Sequence, residues 1–178
     1  FDLIFFLSGN SNQETSKKDI YYDLKTSFST FIELLESAKK NKIKSTIWYA
    51  SSVVVYGVNN KSLKENFELN PVSYYAYVKL ICENACRFYS RNFKLNVGIL
   101  RLFSTFGPNL RRQVVFDTIK KIRTLKKFKV IGSGNEKRNF SFIDDQIKSI
   151  LKLSRKIKEP RGDAYNIASG KTFSIKQI

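Results

Sequence analysis

A chain of 178 residues that is 42% hydrophobic and 14% aromatic supports one ordinary globular core, and no window approaches the ~18 consecutive apolar residues of a membrane span. Histidine is absent and the only thiols are Cys82 and Cys86, which removes Ser-His-Asp and Cys-His catalysis; no metal site is expected. The formal net charge of +17 fits a binder of polyanions, yet the lysines are scattered, as in Lys39-Lys40, Lys120-Lys121 and Lys126-Lys127, so a solvated surface is expected and nucleic-acid binding is not.

Phe1–Leu7 is apolar almost throughout and predicts a buried strand of parallel type, followed by a loop at Ser8-Gly9-Asn10-Ser11-Asn12. From about Asp19 to Lys40 apolar residues recur at helical spacing: Phe28, Phe31, Ile32, Leu35 and Ala38. Ile43–Ser52 predicts the next strand. Val53-Val54-Val55 prolongs its apolar run up to turn residues at Gly57-Val58-Asn59-Asn60. A helix over Tyr74–Asn92 and a strand over Leu95–Phe103 follow. After Gly107-Pro108 the sequence predicts a basic helix over about Leu110–Lys126, a short strand at Phe128–Ile131 and a polar turn from Gly132 to Phe140. A helix then runs to about Lys156, Pro160-Arg161-Gly162 breaks the chain before Ala164–Ala168, and Ser174 reads as a helix N-cap. Strands separated by helices of this length indicate a doubly wound α/β sheet, whose ligands lie beyond the carboxyl ends of its strands.

The residues suited to chemistry gather at that edge. Ser51-Ser52 end one strand, and Tyr75 and Lys79 open the next helix at i and i+4, on one face. A phenol is a poor base at its ordinary pKa of about 10, but a neighbouring ammonium favours the phenolate. A hydroxyl at Ser52 can then bridge the phenol and a substrate oxygen. The spacing alone is weak, since Tyr21 and Lys25 repeat it with no strand-end hydroxyl before them. Cys82 and Cys86, also at i and i+4, read as reduced structural thiols. Asp144-Asp145 reads as helix-start capping rather than an acid–base pair.

Ser51-Ser52, Val55-Tyr56-Gly57, Pro71, Tyr75-x-x-x-Lys79 and Arg101-Leu102-Phe103-Ser104 together resemble the extended short-chain dehydrogenase/reductase family, in its nucleotide-sugar epimerase and dehydratase branch. The resemblance implies the carboxyl-side part of a Rossmann-type sheet carrying the Ser/Tyr/Lys site over residues 1–106, and a small, interleaved α/β substrate-binding region over 107–178. It implies Ser52, Tyr75 and Lys79 as catalytic residues. Leu7, Ser8, Gly9, Phe103, Tyr75 and Lys79 would face NAD or NADP, and Ser52, Ser104 and Arg138 a nucleotide-diphosphate sugar. Phe6, Lys25, Ser104 and Asn139 stand where the family usually has His, Asn, Asn and Asp. The family's glycine-rich turn and ribose-binding acid are missing, and the chain has no methionine, so a portion of a longer protein, binding dinucleotide weakly on its own, is expected. The implied activity is that of an epimerase-like oxidoreductase of surface-polysaccharide or sugar-nucleotide synthesis, cytoplasmic and a homodimer at full length. A 4,6-dehydratase, a keto-sugar reductase and a non-catalytic basic homologue are the alternatives.

Overall fold

The structure, a computed structural model, describes residues 1–11, 13–59, 61–125 and 132–178. The strand expected at Phe128–Ile131 lies outside the described residues. Seven strands are described: β1 (Leu3–Phe6), β2 (Thr46–Ser52), β3 (Val97–Leu102), β4 (Ser104–Phe106), β5 (Lys137–Phe142), β6 (Ala164–Ile167) and β7 (Thr172–Ser174). The helices are α1 (Gln13–Lys18), α2 (Ile20–Asp23), α3 (Thr30–Lys40), α4 (Tyr74–Phe93), α5 (Gln113–Thr124) and α6 (Ile143–Lys156). The chain divides into two compact units, Phe1–Leu102 with Lys152–Asn166, and Phe103–Leu151 with Ile167–Ile178.

In the first unit the sheet order is β1-β2-β3-β6, with β1, β2 and β3 parallel. This is the Rossmann-type parallel sheet that the alternation of strands and helices implies. Successive residues Ile47, Trp48 and Tyr49 of β2 are all buried, so both faces of the sheet are covered. One face packs Phe31, Leu35 and Ala38 of α3 and Val78, Cys82 and Cys86 of α4 against Ile47, Tyr49, Val97 and Ile99. Across the sheet Trp48 meets the edge of Tyr165, 5.7 Å between centroids. Gly98 makes room for that indole: a Cβ there would stand 2.4 Å from Trp48 Cζ3.

Two local departures from the sequence reading have clear causes. The helix expected from Asp19 begins earlier and in pieces, because Asp19 is extended (φ −153°, ψ 103°) and its carboxylate accepts from the Tyr21 and Tyr22 amides. That bond ends α1 and caps α2. A π-helical segment, Leu24–Ser29, then leads into α3. Val53-Val54-Val55 does not continue β2: Ser52 Oγ accepts from the Val54 amide at 3.4 Å and Val53–Tyr56 forms a 3-10 turn. The turn closes on Gly57 at φ +70°, where a Cβ would lie 2.0 Å from Asn70 O; only glycine fits.

The second unit holds a three-stranded sheet, β4-β5-β7, with β4 parallel and β5 antiparallel to its neighbour. Lys137–Phe140, expected in the polar turn, is the start of β5. Only Phe140 and Phe142 mark that strand's apolar alternation, too short a signal to separate it from a turn. Ser174 caps a 3-10 turn, Ile175–Gln177, in a capping box, as expected of it.

Candidate active site

The carboxyl ends of the parallel strands carry the site of the first unit. Ser51 and Ser52 close β2, and the two hydroxyls divide by the strand's alternation. Ser51 is buried and donates to Glu83 Oε1 at 2.6 Å, while Ser52 is half-buried at the strand end and caps the 3-10 turn. Pro71 and Val72 lead into Ser73, whose hydroxyl accepts from the Ala76 amide at 3.2 Å and starts α4. Tyr75, half-buried, therefore stands in the first turn and Lys79 one turn on, on the same face. Lys79 is 7% exposed. Its Nζ donates to Ala50 O at 2.8 Å and lies 5.1 Å from the Tyr49 ring centroid and 5.8 Å from that of Tyr75. Burial lowers the Lys79 pKa, against the pull of Cys82 and Asp23, which raise it. The ammonium is thus pinned to the strand-end carbonyl, close to the Tyr75 ring.

Beneath these residues lies a buried ionic network that the sequence reading missed. Glu83 is fully buried and Arg101 of β3 1% exposed. Their side chains pair fork to fork, Nε to Oε1 at 3.0 Å and Nη2 to Oε2 at 2.8 Å. Arg87 adds a second contact to Oε2 at 2.8 Å. Arg101 Nη1 donates to the Tyr56 phenol at 2.7 Å and to Glu65 O at 3.0 Å, and Tyr56 donates to Asn166 Oδ1 at 2.8 Å. Asn166 in turn holds the loop, its amide donating to Glu65 Oε1 at 2.9 Å. The network joins the ends of β2, β3 and β6 to the middle of α4, so it fixes the Ser52 turn and the Tyr75 helix in one frame. The signal for it was on the page: Tyr75, Lys79 and Glu83 repeat at four-residue spacing along one helix face.

Leu7, Ser8 and Gly9 follow β1 at the same edge; Leu7 and Ser8 are exposed. Gly9 is at φ +112°, and a Cβ there would stand 2.6 Å from Ser27 Oγ. Ser27 is buried and accepts from the Asn10 amide at 3.0 Å. Lys25, which stands where the family usually has Asn, is exposed, and Ser27 is the buried residue against this loop. Asp23 is buried close by, with Asn10 donating to one of its oxygens.

Phe103, Ser104 and Arg138 belong to the second unit. Phe103 donates its amide to Ile167 O at 3.2 Å. Ser104 is half-buried on β4, opposite Phe140, and Arg138 is exposed on β5, opposite Phe173. Arg138 makes no ion pair among the described residues. Cys82 and Cys86 are free and buried, and no group of metal-ligating side chains occurs among the described residues. No described helix is long and apolar enough to cross a membrane.

Comparison with known proteins shows the family. The model of the NAD dependent epimerase/dehydratase family matches residues 1–168. An uncharacterized UDP-glucose epimerase of Bacillus subtilis, YtcB, is 30% identical over 148 residues, 82% of this chain and 46% of the relative. A dTDP-D-glucose 4,6-dehydratase of Dictyostelium discoideum is 29% identical over 191 residues, 99% of this chain and 43% of its own length. Among solved structures, the UDP-glucuronic acid 4-epimerase of Bacillus cereus, in complex with UDP-glucuronic acid and NAD, superposes with a TM-score of 0.90 at 28% identity, covering 99% of this chain and 56% of that one. The chain spans about half the length of these relatives. On these matches, this chain belongs to the NAD-dependent epimerase/dehydratase family.

Proposed function

We propose that the full-length protein is an NAD-dependent nucleotide-sugar epimerase, in which Tyr75 is the base, and that it serves surface-polysaccharide or sugar-nucleotide synthesis. The observation that carries this reading is the placement of Ser52 at the end of β2 with Tyr75 and Lys79 on one face of the helix that starts beside it.

The residues present fit the nicotinamide end of the cofactor. Leu7 and Ser8 leave exposed backbone beyond β1, and Gly9 has no side chain to obstruct it. Lys79, Tyr75 and the Leu7–Gly9 backbone would hold that end. NAD, when bound, accepts and returns a hydride. Tyr75 Oη takes the proton of a sugar ring hydroxyl as that carbon is oxidised, and gives it back when the carbon is reduced from the other face. Ser52 Oγ orients the sugar oxygen. Lys79 keeps the phenolate favourable, and its bond to Ala50 O holds it in place without consuming its charge. Arg138 takes the diphosphate, the guanidinium being suited to bidentate phosphate contacts, and the Ser104 hydroxyl hydrogen-bonds the nucleotide-sugar.

Epimerisation, rather than loss of water, is supported by the residues after Ser52. Eliminating water needs an acid for the leaving hydroxyl and a base for the neighbouring carbon. Val53 and Val54 carry no exchangeable proton, and the Glu65 carboxylate is bonded to the Asn166 amide. The exposed aromatic side chains of α4, Tyr77 and Phe88, lie on one helix face and suit a homodimer. The free buried thiols suit the cytoplasm.

The test is Tyr75→Phe in the full-length protein. Turnover should fall by roughly 10²–10⁴-fold with nucleotide-sugar affinity nearly intact, and Tyr21→Phe should change little. Equal turnover in Tyr75→Phe and the parent refutes the assignment.

A further inference from the structure

At the opposite end of the first unit's sheet, the connections before β2 and β3 and the carboxyl ends of α3 and α4 enclose an open cleft of about 930 Å³. With β2 seven residues long, it lies about 20 Å from Ser52 at ~3.3 Å per residue. The volume is that of a single small-molecule ligand. Six cationic side chains line it. Two are already compensated, Lys39 by Glu36 at 2.5 Å and Arg161 by Glu159 at 3.2 Å. Lys42, Lys44, Arg91 and Lys94 have no ion pair among the described residues.

A bland account exists: cations at helix carboxyl ends offset the helix dipole. Its magnitude is too small. Two helix ends supply about half a negative charge each, which leaves roughly three of the four uncompensated charges facing one space. The backbone adds an independent sign. Lys42, Lys94 and Arg161 are all left-handed, at φ 50°, 56° and 50°. Lys42 and Lys94 follow α3 and α4, where helix ends usually carry glycine, and Arg161 lies in the turn after Pro160; glycine adopts that conformation without strain. Here three positions where glycine would be easier hold long cations around the same cleft. Strain kept where a simpler residue would relieve it points to use.

We propose that this cleft is an anion site that takes a linear oligophosphate, free or as the phosphate tail of a nucleotide. Each terminal phosphate brings roughly −1.5 to −2 charges at pH 7, so two or three linked phosphates match the surplus. The side chains are long enough to wrap a chain of phosphates. The site stands apart from the strand-end chemistry and does not depend on it.

Calorimetry on the 178-residue protein with sodium tripolyphosphate, ATP and UDP at about 0.1 M salt tests this. A dissociation constant of about 10⁻⁴ M or tighter for tripolyphosphate or ATP is expected. The double variant Lys42→Gly, Lys94→Gly should weaken it at least about tenfold, because each lost contact is charge-assisted. The same variant should melt no lower than the parent, since glycine accepts the left-handed backbone. Equal affinity for tripolyphosphate and ATP assigns the free oligophosphate; tighter ATP and UDP assign the nucleotide. The exposed triple control Lys17→Gln, Lys18→Gln, Lys25→Gln should leave the affinity unchanged. Binding weaker than about 10⁻⁴ M for all three ligands, or a control variant that weakens it as much as the glycine pair, overturns the proposal.

Discussion

At the scale of single residues, the group proposed to hold the diphosphate differs from those proposed to act on the sugar. Arg138 is exposed on β5 with no ion pair among the described residues, so its guanidinium needs no partner to be broken before it meets a diphosphate. Arg138→Ala in the full-length protein should raise the Michaelis constant by about tenfold or more, the worth of a charge-assisted contact, with turnover little changed. Steady-state kinetics on the nucleotide-sugar substrate checks this, and a fall in turnover at unchanged Michaelis constant would place Arg138 in the chemistry instead. The positions of Ser52 at a strand end and of Tyr75 and Lys79 on one helix face were legible in the sequence because strand end, proline and helix start fix them. The bond from Lys79 to Ala50 O was not, because which acceptor a buried ammonium finds depends on the strand packed under the helix.

Elements come next, and the Glu83–Arg101 pair is what ties them together. Removing one partner of a buried ion pair leaves the other charge uncompensated, at a cost of about 3–5 kcal/mol, whereas replacing both by apolar groups costs less. Glu83→Gln should therefore destabilise the protein by about that amount in denaturant unfolding. The double variant Glu83→Leu, Arg101→Met should be more stable than Glu83→Gln alone. A single variant as stable as the parent would mean that the network does not hold the strand ends together. The strands and helices of the first unit were legible from apolar periodicity, to within a few residues at their ends. What was not legible has local causes: α1 is polar all round, Asp19 diverts the backbone by capping, and Ser52 and Gly57 turn an apolar run into a 3-10 turn. In the second unit the short strands β4 and β7, of three residues each, carry too little alternation to be seen.

On the scale of the whole molecule, burial couples its stability to pH. Burial pushes the Tyr49 phenol and Cys86 thiol well up, and the Cys82 thiol up, from their ordinary values. A group that holds its proton more tightly when folded contributes stability that is complete below its unfolded pKa and lost above it. For the thiols that loss starts at about 8.5, for the phenol at about 10. Lys79 runs the other way: burial lowers its value, so folding gains as pH climbs toward about 10.4. With two thiols losing and one amine gaining, stability should fall by up to about 1.4 kcal/mol per pH unit between about pH 8.5 and 10. Melting temperatures across that range check it. Cys86→Ala should flatten the slope, and an unchanged slope in that variant would contradict the assignment to the thiols.

The central claim, that the protein inverts a sugar centre by oxidation and re-reduction, is tested most directly by weighing its products. The full-length protein is incubated with NAD and a panel of UDP- and dTDP-hexoses, and the mixture separated by liquid chromatography with mass detection. A new nucleotide-sugar peak of unchanged mass is predicted, because the residues after Ser52 supply no acid to expel a hydroxyl. A product lighter by one water would contradict the account.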